Sequence, residues 1–241
     1  MHLFKKDSDL WDNIAANYSS AVRGAAKNYH WYHDELLPRI LHSVLSKKTV
    51  LDFGCGDGSV ANQIAKQGST VTGYDISKKM IAIGKEMFPN IDLRAGDILQ
   101  EKNIAVNYDA IVANMVLHDI KDITYVIKSL DLLLKKNGLF VFSIPHPCFY
   151  TELGKAYFDK NDQIVQIKRY KSCHVFTKFS NGNQSGVRHY HRPLTEYFKV
   201  FFELGYTLEG FEEIFEKPKN AEIPFAILFV FKNSRLKRKP M

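Results

Sequence analysis

The sequence predicts an α/β protein with a doubly wound, mostly parallel seven-stranded sheet. Three observations carry that expectation. From residue 49 to 144, short apolar runs alternate with helical patterns, the order that lays helices on both faces of a parallel sheet. The first run, Thr49 to Phe53, passes straight into Gly54-Cys55-Gly56-Asp57-Gly58 and then a helix. Strand, glycine turn and helix together form a corner where a ligand can approach the backbone. After residue 193, a helix and two long apolar runs close the chain instead of repeating a second nucleotide-binding half.

The elements follow in order. Residues 1–45 form a helical arm. Ser8 is its expected N-cap, and Leu10, Trp11, Ile14, Ala15 and Tyr18 recur at helical spacing. A second helix carries Leu36, Leu37, Ile40, Leu41, Val44 and Leu45, with Pro38 suited to its first turn. Residues 46–144 form the core, with strands at 49–53, 69–74, 91–95, 108–113 and 138–144. Its helices lie near 59–67, 77–87 and 122–135, the last ended by Asn137-Gly138.

Between Pro145 and Arg192 the periodic pattern breaks. A connection that long reads as a functional lid. Its short β-type runs, 164–171, 174–179 and 187–191, predict a small added sheet. Residues 193–231 supply a helix ending at Gly205 and two closing strands, 206–215 and 224–231. A basic tail, 232–241, follows, and the whole reads as one domain.

Composition narrows the class. The net charge is +7, but Lys232, Arg235, Lys237, Arg238 and Lys239 crowd the last ten residues without an acid. A charged end of that kind is ordinarily solvated, with steering of an anionic partner as its functional reading. No apolar run reaches membrane-span length, and His2 to Asp7 lacks the apolar centre of a signal peptide. Cys55, Cys148 and Cys173 make no C-x-x-C pair, which points to a reducing cytoplasm and no disulfide framework.

The glycine turn departs from the dinucleotide fingerprint G-x-G-x-x-G, because its third glycine comes one residue early and Asp52 precedes the first by two. Asp52-x-Gly54-x-Gly56-x-Gly58 resembles the first motif of class I S-adenosylmethionine (SAM) methyltransferases. Further checkpoints follow in order: Asp75 after the second strand, Gly96-Asp97-Ile98 after the third, and Asn114-Met115-Val116-Leu117-His118 after the fourth. The resemblance covers residues 45–145 well and the last forty loosely. It is nearest to the small-molecule, type 11-like group, whose arm pattern Trp-Asp-x-x-Ala-x-x-Tyr stands at Trp11 to Tyr18.

That resemblance implies the Rossmann-like methyltransferase fold and SAM as cofactor, leaving S-adenosylhomocysteine as product. It assigns the cofactor to Tyr18, Asp52, Gly54, Cys55, Gly56, Asp75, Ile76, Met80, Asp97, Ile98, Asn114 and Met115. Asp75 would accept from the ribose hydroxyls, Ile76 pack on adenine, Asp97 accept from the adenine amino group, and Asn114 border the methionine part. The implied reaction moves a methyl to N or O of a small acceptor. A base serves only where the nucleophile starts protonated.

His118 and His146 are the catalytic candidates, the latter held between two prolines just past the fifth strand. Phe149, Tyr150, His189 and His191 are the substrate-binding candidates from the lid. His189 and His191 share a face in an extended segment and invite a zinc reading with Cys148 or Cys173. No second ligand pair has structural zinc spacing, so no metal is expected. Partners are expected to be a small acceptor and no membrane, with the chain a monomer or homodimer. Three rivals stay open. An RNA methyltransferase draws on the basic tail with Lys168, Arg169 and Lys171. The others are a non-catalytic SAM-binding protein and a nicotinamide-dependent oxidoreductase.

Overall fold

The computed structural model describes residues 2–24, 37–101, 107–151, 154–155, 157–159, 164–166, 170–177, 186–215 and 223–235. The helices are α1 (His2–Gly24), α2 (Leu37–Leu45), α3 (Ser59–Lys66), α4 (Lys78–Met87), α5 (Ile123–Asp131) and α6 (Leu194–Glu203). The main sheet uses β1 (Thr49–Phe53), β2 (Thr70–Asp75), β3 (Asp92–Ala95), β4 (Tyr108–Asn114) and β5 (Leu134–Pro145). The last two strands, β12 (Tyr206–Phe215) and β13 (Pro224–Asn233), close it. Three short pairs lie between: β6 (Tyr150–Thr151) with β7 (Gly154–Lys155), β8 (Tyr157–Asp159) with β9 (Ile164–Gln166), and β10 (His174–Thr177) with β11 (Arg188–His191).

The seven strands run in the order β12-β13-β5-β4-β1-β2-β3. Only β13 opposes the others, pairing antiparallel with both β5 and β12. Alternation along each strand sorts side chains between two cores. From β5 and β13, Phe140, Phe142, Phe229 and Phe231 turn to one face, where Phe201 of α6 and Ile127 of α5 cover them. Phe142 lies flat against Phe201 at 5.3 Å between centroids and 5° between planes. Such pairs add about 0.5–1.5 kcal/mol beyond their buried area. Val141, Leu228 and Val230 turn to the other face, under Leu41 and Leu45 of α2 and Ile64 of α3.

Several expectations shift. Ser8 lies inside α1 and does not cap it. Helix α5 stops at Asp131, short of 135, and β5 already pairs at Leu134. Leu134 sits opposite Tyr108 and Leu139 opposite Ala110, so residues 135–138 bulge outward around Asn137 at φ 60°. Burying the Leu134 side chain against Tyr108 wins over another helical turn. The lid's expected small sheet is three separate pairs, and β9 pairs with β8 rather than with β10. The tail is only partly a solvated end. Asn233 ends β13, and the Arg235 guanidinium pairs with buried Asp131, which also accepts from Tyr206 at 2.8 Å. Lys237, Arg238 and Lys239 lie outside the described residues.

Candidate functional site

Sheet order reverses between β1 and β4, and chains leaving the two strands there must part to opposite faces. That divergence opens a crevice at the carboxyl ends of the strands. A cavity of about 450 Å³ fills it, walled by the loops after β1 to β4, by α1, and by part of the lid.

The glycine turn forms its floor. The N–H groups of Gly54 and Cys55 both donate to the Tyr74 carbonyl, at 2.8 and 3.1 Å. Gly54 stands at φ +69°, and a Cβ there would lie 2.5 Å from the Val116 side chain. Gly56, at φ +56°, has open space where its Cβ would be. The backbone is thus bare where it faces the cavity.

Asp75 ends β2 beside the turn. Its carboxylate accepts from the N–H of Gly56 at 2.9 Å and from that of Ser77 at 2.8 Å. Burial pushes its pKa up to about 6, with those backbone bonds pulling the other way and Asp12 and Asp57 raising it further. Asp52 is buried deeper. Desolvation first, then the charges of Asp75 and Asp57, push it up to about 7, against a bond from the Ala61 backbone. Asp97 caps the turn after β3 by accepting from Leu99 N–H at 3.0 Å. One buried carboxylate oxygen each on Asp52 and Asp97 has no hydrogen-bond partner among the described residues. Buried acceptors left over in this way call for a donor from water or a ligand.

At the far wall, Ser143 donates to the Asn114 side chain at 2.7 Å, and Met115 N–H donates to the Ser143 hydroxyl at 3.0 Å. Met115 holds φ 53°, the left-handed region, which a non-glycine residue adopts only under constraint. Helix α1 roofs the cavity with Trp11 and Tyr18, whose rings meet edge to face at 5.3 Å. Three side chains fasten this roof. Asp12 accepts from Ser77 Oγ at 2.6 Å and Lys79 N–H at 3.0 Å, at the start of α4. Desolvation opposes its charge, but those bonds and the lysines at 78 and 79 prevail and lower its pKa. Ser19 donates to Asp57, and Asp7 pairs with Arg188 of the lid.

The twelve residues expected at the cofactor, Tyr18, Asp52, Gly54, Cys55, Gly56, Asp75, Ile76, Met80, Asp97, Ile98, Asn114 and Met115, all line this one cavity. The lid residues are placed otherwise. In β11, Arg188 and Tyr190 face the cavity, while His189 and His191 turn to the opposite side and are buried. Strand alternation decides this. His191 there accompanies Tyr170, whose carbonyl lies 2.9 Å from its Nε2. His146 is also outside the cavity walls, with Nε2 3.1 Å from Glu213 and its ring 4.7 Å from that of Phe149. Burial lowers its pKa, against the pull of Glu213. The side chain of Tyr150 lies outside the described residues. His118 is nearly buried behind the wall, and its neighbour Asp119 reaches the cavity instead.

Asp7, Asp12 and Asp119 escaped the sequence reading as site residues. Arg192 donates to the carbonyls of Tyr190, Leu117, Ile120 and Lys121, the last at 2.7 Å. It thereby ties the turn carrying His118 and Asp119 to the lid. Only Asp12 carried a signal, its place after Trp11 in the arm pattern.

The strand order, the crevice at its reversal and the acid-lined glycine turn define a class I, Rossmann-like methyltransferase fold. A solved SAM-dependent methyltransferase from Mesorhizobium loti superposes with a TM-score of 0.71 at 20% identity, covering 88% of this chain and 99% of that one. The family model of a methyltransferase domain matches residues 26–179, and the chain belongs to that family. An uncharacterized methyltransferase of Oceanobacillus iheyensis is 28% identical over 139 residues, 56% of this chain and 64% of that protein. A malonyl-[acyl-carrier protein] O-methyltransferase of Halalkalibacterium halodurans is 33% identical over 118 residues, 46% and 44% of the two chains. The chain therefore spans less than two thirds of each of these curated relatives' lengths.

Proposed function

We propose that this protein is a SAM-dependent methyltransferase acting on N or O of a small-molecule acceptor. The observation that carries the proposal is the convergence of twelve motif residues on one cavity, with buried acceptor oxygens on Asp52 and Asp97. This set of acceptors suits the cofactor's ribose hydroxyls, amino groups and cationic centre. When bound, SAM supplies a methyl on a sulfonium whose thioether is a good leaving group.

The protein's share is position and desolvation. Asp75, oriented by two backbone N–H groups, is set to accept from hydroxyls. Asp97 offers its second oxygen to an amino group, with Ile76 and Ile98 against a flat ring. Asp52 and Asp75 place negative charge under a cationic ligand, which in return favours their ionised forms. Tyr18 and Trp11 from α1, with Tyr190 from the lid, shut water from the acceptor end. Proton removal, where the acceptor needs it, is assigned to the Asp119 side of the cavity with His118 behind it. His146 is left with a bond to Glu213 outside the walls.

A volume of about 450 Å³ fits small molecules rather than polymers. Seven aspartates line the cavity against Lys121 and Arg188, an arrangement that repels phosphate chains and weighs against RNA. Three free cysteines suit a reducing cytoplasm. No described helix is long and apolar enough to cross a membrane. Calorimetric titration with SAM, S-adenosylhomocysteine and NADH tests the proposal, with Asp75→Ala as control. Micromolar binding of the first two, lost in the variant, is the expected outcome. Binding of NADH alone, or no binding, overturns it.

A further inference from the structure

Beside the acceptor end of the cavity, two distant stretches of chain bring three ligating side chains together. His118 and Asp119 come from the turn after β4, and His189 comes from β11 of the lid. Asp119 Oδ1 lies 3.2 Å from His118 Nε2 and 2.7 Å from His189 Nδ1. The two imidazole rings are parallel, 4° apart in plane and 5.2 Å between centroids. The side chains are 10%, 12% and 1% exposed. One ligand atom from each lies within 4.8 Å of the others.

We propose that His118, Asp119 and His189 form a binding site for one divalent transition-metal ion. Two neutral nitrogens and a carboxylate are the donor types that zinc and its first-row neighbours prefer, and three protein ligands leave a coordination position open. Ligand bonds of about 2.1 Å in a tetrahedral site set donors about 3.4 Å apart, so Asp119 Oδ1 need draw back from His189 Nδ1 and His118 Nε2, now 2.7 and 3.2 Å away, by only tenths of an ångström to admit an ion. A separate cleft of about 20 Å³, the scale of one water or ion, borders His118 and His189 from the side away from the main cavity. Arg192 also borders that cleft, and its guanidinium is directed at four backbone carbonyls. Asp119 belongs both to this group and to the wall of the main cavity, so an open position on its side faces the acceptor end. The site deepens the proposed function, on which its substrate class rests: acceptors with a hydroxyl or amine able to coordinate the ion. Spacing in the sequence hides this set, because it pairs His189 with His191, which lies near Tyr170 instead.

Cobalt(II) is the probe, added to the chelator-treated full chain. One equivalent is expected to give visible ligand-field bands. His189→Ala and His118→Ala are each expected to weaken binding by at least about 10-fold, with circular dichroism unchanged. S-adenosylhomocysteine binding is measured on the same samples. Folded chain that binds S-adenosylhomocysteine but no cobalt overturns the metal site alone. Cobalt binding indifferent to both substitutions overturns it as well, by placing the ion elsewhere. Site-dependent cobalt binding without S-adenosylhomocysteine binding upholds the metal site and removes only its link to methyl transfer.

Discussion

The cavity has two unlike walls. One is made of strand ends: Asp52 to Gly56, Asp75, Asp97, Asn114 and Met115. The other is made of the lid, through Val187, Arg188 and Tyr190. At the strand-end wall, parallel register fixes where each chain emerges. Asp52 pairs with Gly73 and with Val112, so the residues that follow β1, β2 and β4 come out side by side. At the lid wall a two-stranded pair does the placing, and a shift by one residue turns the opposite set inward. Position in the chain is therefore a sufficient guide to the first wall and not to the second.

The largest test of this contrast breaks the strand-end wall. Gly54→Ala puts a methyl into Val116 at a positive φ. Denaturant titration should show a loss of about 2–4 kcal/mol, and S-adenosylhomocysteine affinity should fall with it. A loss under half a kcal/mol would mean that Val116 yields freely and that the wall is less rigid than its geometry.

Breaking the lid wall should separate stability from cofactor affinity. Arg192→Met leaves the carbonyls of Ile120 and Lys121 without the guanidinium donor, at a cost of about 2–3 kcal/mol. Affinity for S-adenosylhomocysteine should stay within about threefold, because the hydrogen bonds of Arg192 go to Tyr190 and the Leu117–Lys121 turn and not to the residues proposed for the cofactor. An equal loss of affinity would show the two walls to be one cooperative unit.

The smallest effect sharpens the electrostatics of the strand-end wall. Asp52 and Asp75 are raised from 3.8 to about 7 and about 6. The native state then binds more protons than the unfolded one between these limits, and stability falls as pH rises through them. The ligand-free chain should lose on the order of 1–2 kcal/mol between pH 6 and 7, and Asp52→Asn should flatten most of that slope. A melting temperature that instead rises over this range would mean that the carboxylates ionise at their usual values.

Much of the strand-end half was legible before any coordinates. Gly54 and Gly56, then Asp75, Asp97 and Asn114, each follow a strand, and each arrives at the crevice. The arm was half legible: Tyr18 was expected at the cavity, whereas the anchoring of Asp12 to Ser77 was not. In the lid, His189 and His191 were expected at the acceptor, whereas their neighbours Arg188 and Tyr190 line the cavity. His146 was read from its place past β5, but an antiparallel neighbour intervenes. Its N–H donates to the Phe225 carbonyl of β13, and Glu213 of β12 reaches its ring.

By itself, the sequence determined the layered α/β architecture, the glycine corner and the acids that follow successive strands. Those features depend on local periodicity and on residues whose neighbours in the chain are also their neighbours in space. Only the tertiary structure decided which face of β11 meets the cavity, what holds the arm, and the meeting of His189 with His118 and Asp119. Contacts across some seventy residues of chain depend on strand register and on packing between elements, and neither leaves a trace in local spacing.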